Sequence, residues 1–450
     1  MVDIRAFYHN TNPRKTLDLA RPEDQALYID FSALRQQDPI APLQAGISFF
    51  SPDEPTCQLF TGHIGCGKST ELSRLKTGLE AENFHVVSFA ASDDLEMGDV
   101  DVGDILLAIA RQISLSLEAA GVQVKATGFH AFLRSMNQFL NQEVTGLAVN
   151  VPGFGEVGFN EQDQSLSLAM GIGKITAQTK NSLALRTRLR DYLEPRTKGI
   201  IDAINTELIE PAIAQLKAQG KAGLAVIVDN LDRVEDALKP FGVRQQNYLF
   251  VERGDQLRQL NCHVVYTIPL NLCFSGEITR LAQRFGNPYV LQVIAVENRD
   301  GTVNQAGIAK LKELVLVRAF PELAVAEREG AIGQLFDSEE ALNQLCLMSG
   351  GHVRELLMLI QTWVMGERTT PLTRAGLDAA IRAQRNQLLK SIDPEDWPQL
   401  RQVHRSQQLS GKECYQTLLR SLLVYEYCDQ AGSWFVVNPM LRGVKELQDR

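Results

Sequence analysis

The sequence predicts a doubly wound α/β fold, and three observations predict it. Segments 85–90 (HVVSFA), 224–228 (LAVIV), 263–268 (HVVYTI) and 289–294 (YVLQVI) are near-continuous apolar runs, as in parallel strands covered on both faces. Helical patterns stand between them: Val102, Ile105, Leu106, Ile109, Ile113 and Leu117 share one helical face, as do Ile200, Ile201, Ile204, Leu208, Ile209, Ile213 and Leu216. A first strand, 58–62 (QLFTG), runs into a glycine-rich turn and then a helix with Leu72, Leu75 and Leu79 on one side. Strands alternating with long helices imply a parallel sheet between helical layers.

The remaining segments frame this core. Residues 1–45 mix polar turns with short apolar stretches and predict a helical lead-in to a core at 46–300. A Gly- and Val-rich tract interrupts the core at about 125–198 and predicts a β-hairpin insertion or a mobile loop. Residues 301–390 turn helical around a Gly350-Gly351 break, predicting a small helical lid domain. In 391–450, helices precede two short strands about a polar turn (LLVYEYCDQAGSWFVVNP), the pattern of a winged helix.

Composition narrows the function. With 44% hydrophobic and 22% charged residues the chain reads as soluble and globular. A net charge of −9 argues against charge-driven nucleic-acid binding over the whole surface. The opening MVDIRAFYHN lacks a basic segment followed by an apolar run, and no stretch is apolar enough to span a bilayer, so a cytoplasmic protein without membrane association is expected. The seven cysteines have no CxxC spacing, so buried reduced thiols are expected rather than a zinc site or disulfides.

The chemistry concentrates at Gly62-His63-Ile64-Gly65-Cys66-Gly67-Lys68-Ser69-Thr70, which matches G-x-x-x-x-G-K-[ST]. Glycines let backbone N–H groups turn inward around a phosphate, and the following helix adds its positive N-terminal end. Lys68 is expected to bridge the β- and γ-phosphates, and the Ser69 hydroxyl to ligate Mg²⁺. Cys66 reads as a spacer. Asp229 ends the 224–228 strand, where open α/β sheets bind ligands, and is expected in the Mg²⁺ shell through water. Asp232 has two readings: it orients or deprotonates an attacking water, or it caps a helix. Thr267 either contacts the γ-phosphate or the attacking water, or is an ordinary strand threonine. Arg354, after Gly350-Gly351-His352-Val353, is expected to reach the γ-phosphate and report nucleotide state through domain closure. The absence of a guanine-specific NKxD motif favours ATP.

The order of these motifs resembles AAA-like and STAND-type bacterial P-loop ATPases, with replication-initiator ATPases as more distant cousins: Walker A, a DNLDR Walker B, a TIP sensor strand, a GGHVR sensor motif and a C-terminal winged helix. The resemblance spans residues 46 to 440. It implies an ASCE core with strand order 5-1-4-3-2, a helical lid and a winged helix. It implies slow ATP hydrolysis, because Asn230 stands where many such ATPases carry a catalytic Glu. It implies a nucleotide-dependent switch of conformation or assembly in signalling or anti-phage defence, with nucleotide-dependent homo-oligomers. This chain carries no fused effector or repeat sensor, so a separate effector or sensor protein is expected. In ring-forming relatives an Arg at the place of Arg280 or Arg284 reaches a neighbour's nucleotide; here both read as solvated charges.

Two alternatives stand beside the switch. One is an ATP-regulated DNA-binding protein resembling replication initiators or transposition regulators, using Arg401, Arg405, Lys412 and Arg420, among which the acidic Glu413 and Glu426 are interleaved. The other, a phosphotransferase, lacks a second substrate constellation.

Overall fold

The computed structural model describes residues 3–35, 38–141, 167–239, 242–409 and 413–448. Five parallel strands form the central sheet: β1 (Cys57–Gly62), β2 (His85–Ala90), β3 (Leu224–Asp229), β4 (His263–Thr267) and β5 (Tyr289–Leu291). Their order is β2-β3-β4-β1-β5, the predicted order read from the other edge. This is the α/β P-loop NTPase fold. Alternation along the strands divides the core: Phe60, Ala225, Ile227 and Val265 face one side, with Leu72, Leu75 and Leu79 of the helix Lys68–Ala81. Leu59, Val226, Val228, Val264 and Tyr266 face the other, with Ile105, Ile109 and Ile113 of the helix Val102–Ala119. Both faces are dry, which explains the unbroken apolar runs.

Three sequence expectations need correction. The run 289–294 stays in the sheet only to Leu291. Beyond it the backbone finds other partners: the Gln292 carbonyl accepts from Arg35 Nε at 3.3 Å, and the Ile294 N–H donates to the Gly351 carbonyl at 3.4 Å. The neighbouring β1 has already ended at Gly62, so no ladder remains to join. The 200–216 pattern is helical but widens to a π turn at Ile204–Ile209, just before Pro211, which has no N–H to continue an α ladder.

The third correction concerns the 125–198 tract, whose described residues fall mostly in helices: Thr127–Asn141, Leu168–Lys180 and Leu183–Leu193. Ser167 caps the second of these, accepting from the Met170 N–H at 3.3 Å. Leu168, Ile172 and Ile175 pack into the core cluster of the 102–119 helix at helical spacing. The hairpin expectation fails for 167–176; its part on 142–166 lies outside the described residues.

After the sheet come the helices Gln305–Ala319, Glu339–Met348, Val353–Glu367 and Arg374–Leu389. Helices Trp397–Ser406 and Glu413–Arg420 follow, then an antiparallel hairpin, β6 (Val424–Asp429) and β7 (Gly432–Val437), paired from Val424↔Val437 to Asp429↔Gly432. Leu400, Val403, Leu418, Phe435 and Val437 form a separate small core beneath it. The N-terminal helix Ile4–Asn10 lies on the 305–319 and 353–367 helices: Gln361 Nε2 donates to the Tyr8 carbonyl at 3.0 Å, and Asn10 Nδ2 to the Arg318 carbonyl at 3.1 Å. Among the described residues no helix is long and apolar enough to cross a membrane.

The Gly350-Gly351 break is a docking point. Gly351 has φ +72°, and a Cβ there would collide with the Ile294 carbonyl oxygen. Tyr427 Oη donates to the Gly350 carbonyl at 2.8 Å, so the segment after β5, the Gly350-Gly351 turn and the hairpin meet in one place. Gly351→Ala is expected to lower the unfolding free energy by about 3 kcal/mol, read from urea denaturation, because it adds strain and a backbone clash together.

Candidate nucleotide-binding site

β1 ends at Gly62, the chain turns through residues 63–67, and the helix Lys68–Ala81 points its N-terminus back at the turn. Gly65 has φ +92°, and a Cβ there would lie 2.9 Å from the Arg354 side chain. Only glycine permits both the turn and that approach. Ile64, Gly65, Cys66, Gly67, Lys68, Ser69 and Thr70 line one cleft together with Asp229, Asn230, Asp232, Arg233 and Arg354. Gly62 and His63 face a second cavity on the outer side of the loop, lined also by Asp232, Arg233, Leu419 and Arg420.

Lys68 is buried, and its ammonium has three oxygen partners: Asp232 Oδ2 at 2.9 Å and the Gly62 and His63 carbonyls at 2.8 and 2.9 Å. Burial works against its charge, but the Asp232 carboxylate and its hydrogen bond, together with Cys66 and Asp229, outweigh burial and hold the Lys68 pKa above its ordinary value. Ser69 Oγ donates to Asp229 Oδ2 at 2.5 Å. Burial raises the Asp229 pKa, an effect the Ser69 hydrogen bond opposes and the nearby Asp232 reinforces. Asp232 Oδ1 is buried with no partner among the described residues. A hydroxyl and a carboxylate side by side suit Mg²⁺, which prefers hard oxygen donors, and the orphaned Asp232 oxygen marks a place for a further polar group.

Asp232 therefore does not cap a helix. It lies inside a short 3₁₀ turn, Leu231–Arg233, and its carboxylate faces Lys68. Thr267 departs from the γ-phosphate expectation. It is fully buried, its Oγ1 accepts from the Leu231 N–H at 3.0 Å and donates to the Val228 carbonyl at 3.3 Å, and it does not line the cleft. It thus ties β4 to the turn that carries Asp232. Asn230 has φ +65°, a conformation that Asn tolerates better than Glu, and its Nδ2 donates to Ser92 Oγ at 3.1 Å.

The GGHVR segment sits on the phosphate loop. His352 caps the helix Val353–Glu367: its Nδ1 accepts from the Glu355 N–H at 3.2 Å and its Nε2 donates to the Ile64 carbonyl at 3.0 Å. The Arg354 N–H donates to the Gly65 carbonyl at 3.2 Å. Burial and the neighbouring Arg233 guanidinium both depress the Arg354 pKa. From the other side, the Glu426 N–H of β6 donates to His63 Nε2 at 3.3 Å, and the Tyr425 ring packs edge-on against His63 and stacks on His352. Burial pushes both His63 and His352 down to about 3.

Other predicted residues lie apart from the cleft. Arg280 pairs with Glu277 at 2.7 Å, and Arg284 bonds the Val251 and Glu252 carbonyls. Arg401 donates to the Glu446 carbonyl at 2.8 Å, Arg405 is exposed, and Arg420 lies 3.6 Å from Asp236. Lys412 and the Glu413 side chain lie outside the described residues. Glu426 is not a surface charge: it is buried and accepts from Ser433 Oγ at 2.6 Å.

Sequence reasoning missed one wall of the cleft. Lys15, Leu17, Tyr28 and Ile29 of the N-terminal segment line it, with Leu314, Arg318, Val353 and Leu357 of the 305–319 and 353–367 helices. A buried pair, Arg35 with Glu71 at 2.9 Å, fastens this segment to the phosphate-loop helix. Arg233 was within reach, as the last letter of DNLDR.

No family model matches the sequence, and no curated protein matches it. Among solved structures, the ORC2 protein of Aeropyrum pernix in ADPNP–ADP complexes is similar at 11% identity over 98% of this chain and 96% of that one, with a TM-score of 0.42. A Walker-type ATPase of Pyrococcus abyssi is similar at 12% identity, covering 98% of this chain and 100% of that one, with a TM-score of 0.41. The ORC1 protein of Aeropyrum pernix in complex with DNA is similar at 12% identity, covering 95% and 97%, with a TM-score of 0.35. These are weak likenesses of shape, and the site stands on its own geometry.

Two outcomes are expected. Thr267→Val removes the acceptor of a buried N–H and should lower stability by about 1–3 kcal/mol, while nucleotide affinity by calorimetry changes less than threefold. From about pH 6 down to 4 the unfolded chain takes up protons on His63 and His352 that the folded chain refuses. Stability should therefore fall with pH by about 1.4 kcal/mol per unit for each histidine. His63→Gln should remove one such share from the slope of urea-derived stability against pH.

Proposed function

We propose that this protein binds Mg²⁺-ATP at the phosphate loop, hydrolyses it slowly, and uses the nucleotide to switch how its C-terminal helices and hairpin pack on the core. One observation carries the reading: three consecutive loop residues are held from outside the core, His63 by the Glu426 N–H, Ile64 by His352 and Gly65 by the Arg354 N–H. A loop that reshapes around a triphosphate must disturb or tighten all three contacts. Magnesium, when bound, would supply charge neutralisation at the phosphate oxygens, and Ser69 and Asp229 are the residues that would hold it.

The chain's own groups have these roles. Lys68 exchanges the Gly62 and His63 carbonyls for phosphate oxygens. Asp232, with one oxygen unpartnered among the described residues, accepts a proton from the attacking water. Asn230, engaged with Ser92, offers no carboxylate to help, which supports slow turnover. Arg354 and Arg233 line the cleft beside the loop and make no ion pair among the described residues, so a γ-phosphate gives them an anion to close upon. The switch would be read by a separate effector or sensor protein, or by a second copy of the chain. The domain division that serves it is the core at 46–300, the lid at 301–390 and a winged-helix module at 391–450.

Calorimetry and small-angle scattering in apo, ADP and non-hydrolysable-ATP states test this. Lys68→Ala is expected to weaken nucleotide binding roughly 10- to 100-fold. Arg354→Ala should retain binding within about threefold yet lose the ATP-dependent change in radius of gyration. No heat of binding for any Mg²⁺-nucleoside triphosphate, or a scattering profile indifferent to nucleotide in the unaltered protein, defeats the proposal.

A further inference from the structure

Arg318, on the helix Gln305–Ala319, is a buried guanidinium that pairs with no carboxylate of the described residues, and it lines the cleft. Its Nη1 donates to the Leu27 carbonyl at 3.3 Å and the Leu314 carbonyl at 3.0 Å. Its Nε is buried without a partner among the described residues. Burial lowers its pKa to about 10, so it remains charged at neutral pH. Burying a cation with neither counter-charge nor full hydrogen bonding is costly unless something else completes the site. The surrounding lining from Tyr28, Ile29, Leu314, Val353 and Leu357 is largely apolar and suits a flat heteroaromatic ring.

We infer that Arg318 is a base-contacting residue that donates a hydrogen bond to a ring nitrogen of adenine. This rests on the reading of the cleft as a nucleotide site and names the part of the ligand that the phosphate loop does not touch. The guanidinium is donor-only, so it must meet an acceptor. Adenine offers acceptors at its ring nitrogens, while its 6-amino group is a donor that Arg318 would repel. Because Nη1 also holds the Leu27 carbonyl, the contact links the base to the N-terminal wall of the cleft as well as to the lid helix.

Calorimetric titration of the full chain with ATP, 1-deaza-ATP, 3-deaza-ATP and 7-deaza-ATP tests this, each analogue replacing one ring nitrogen by C–H. One analogue is expected to bind at least tenfold more weakly than ATP, and its penalty should shrink below twofold in Arg318→Met. If all three analogues bind like ATP, or if the penalty persists undiminished in Arg318→Met, the inference is wrong. Should Arg318→Met fail to fold by circular dichroism, the unaltered protein's panel and Arg318→Leu decide by the same criteria. If the unaltered protein binds neither ATP nor any analogue, the nucleotide reading itself fails; if it binds ATP and only the Arg318 criteria fail, that reading survives.

Discussion

The ammonium of Lys68 is the constraint around which the cleft is arranged. Burying a charge is costly unless it is paired and hydrogen-bonded. Here that requires the end of β1, which supplies two carbonyls, and the turn after β3, which supplies Asp232. Those strands are not neighbours; β4 lies between them. Thr267, at the end of β4, holds the Leu231 N–H and so places the Asp232 turn within reach of Lys68. The strand order is in this sense part of the site: β4, lying between β1 and β3, carries the hydroxyl that fixes the Asp232 turn.

Much of this was legible in the chain because each signal is local. Buried parallel strands have to be apolar on both faces, so β3 and β4 announce themselves. The phosphate loop needs glycines, a lysine and a hydroxyl at fixed spacing. What misled was equally local. The run 289–294 is apolar because it is buried, yet only three of its residues pair with β1, since its partner strand stops first. Gly171 and Gly173 belong to the Gly- and Val-rich tract expected as a hairpin or loop, yet they sit inside a packed helix. Glycine in a sequence does not say whether it serves a turn or a close contact.

The wall built from Lys15, Leu17, Tyr28 and Ile29 was illegible for a different reason. Nothing in that segment has a recurrent spacing. It joins the cleft through Arg35 and Glu71, 36 residues apart in the chain, and through Arg318 reaching the Leu27 carbonyl. Such contacts are non-local pairings of common residue types, and no window of sequence contains both partners. Thr267 belongs to the same class: a strand threonine in sequence, whose hydroxyl partner is 36 residues away.

In the proposed switch, the energetic question is why a nucleotide should favour one packing over another. A ligand shifts an equilibrium only by the difference in its affinity for the two states. The phosphate-loop contacts alone do not supply that difference, because Lys68 and Ser69 stay with the core in either packing. Arg354 does: it enters on the lid helix and lies over Gly65 beside Arg233. Arg233 acts on Arg354 more strongly than either Glu355 or Asp232 opposes it, so the closed packing is penalised until a further anion arrives beside the two guanidinium groups. A triphosphate removes that penalty and a diphosphate removes less of it, so the same pair that destabilises the empty closed state gives ATP its preference for it.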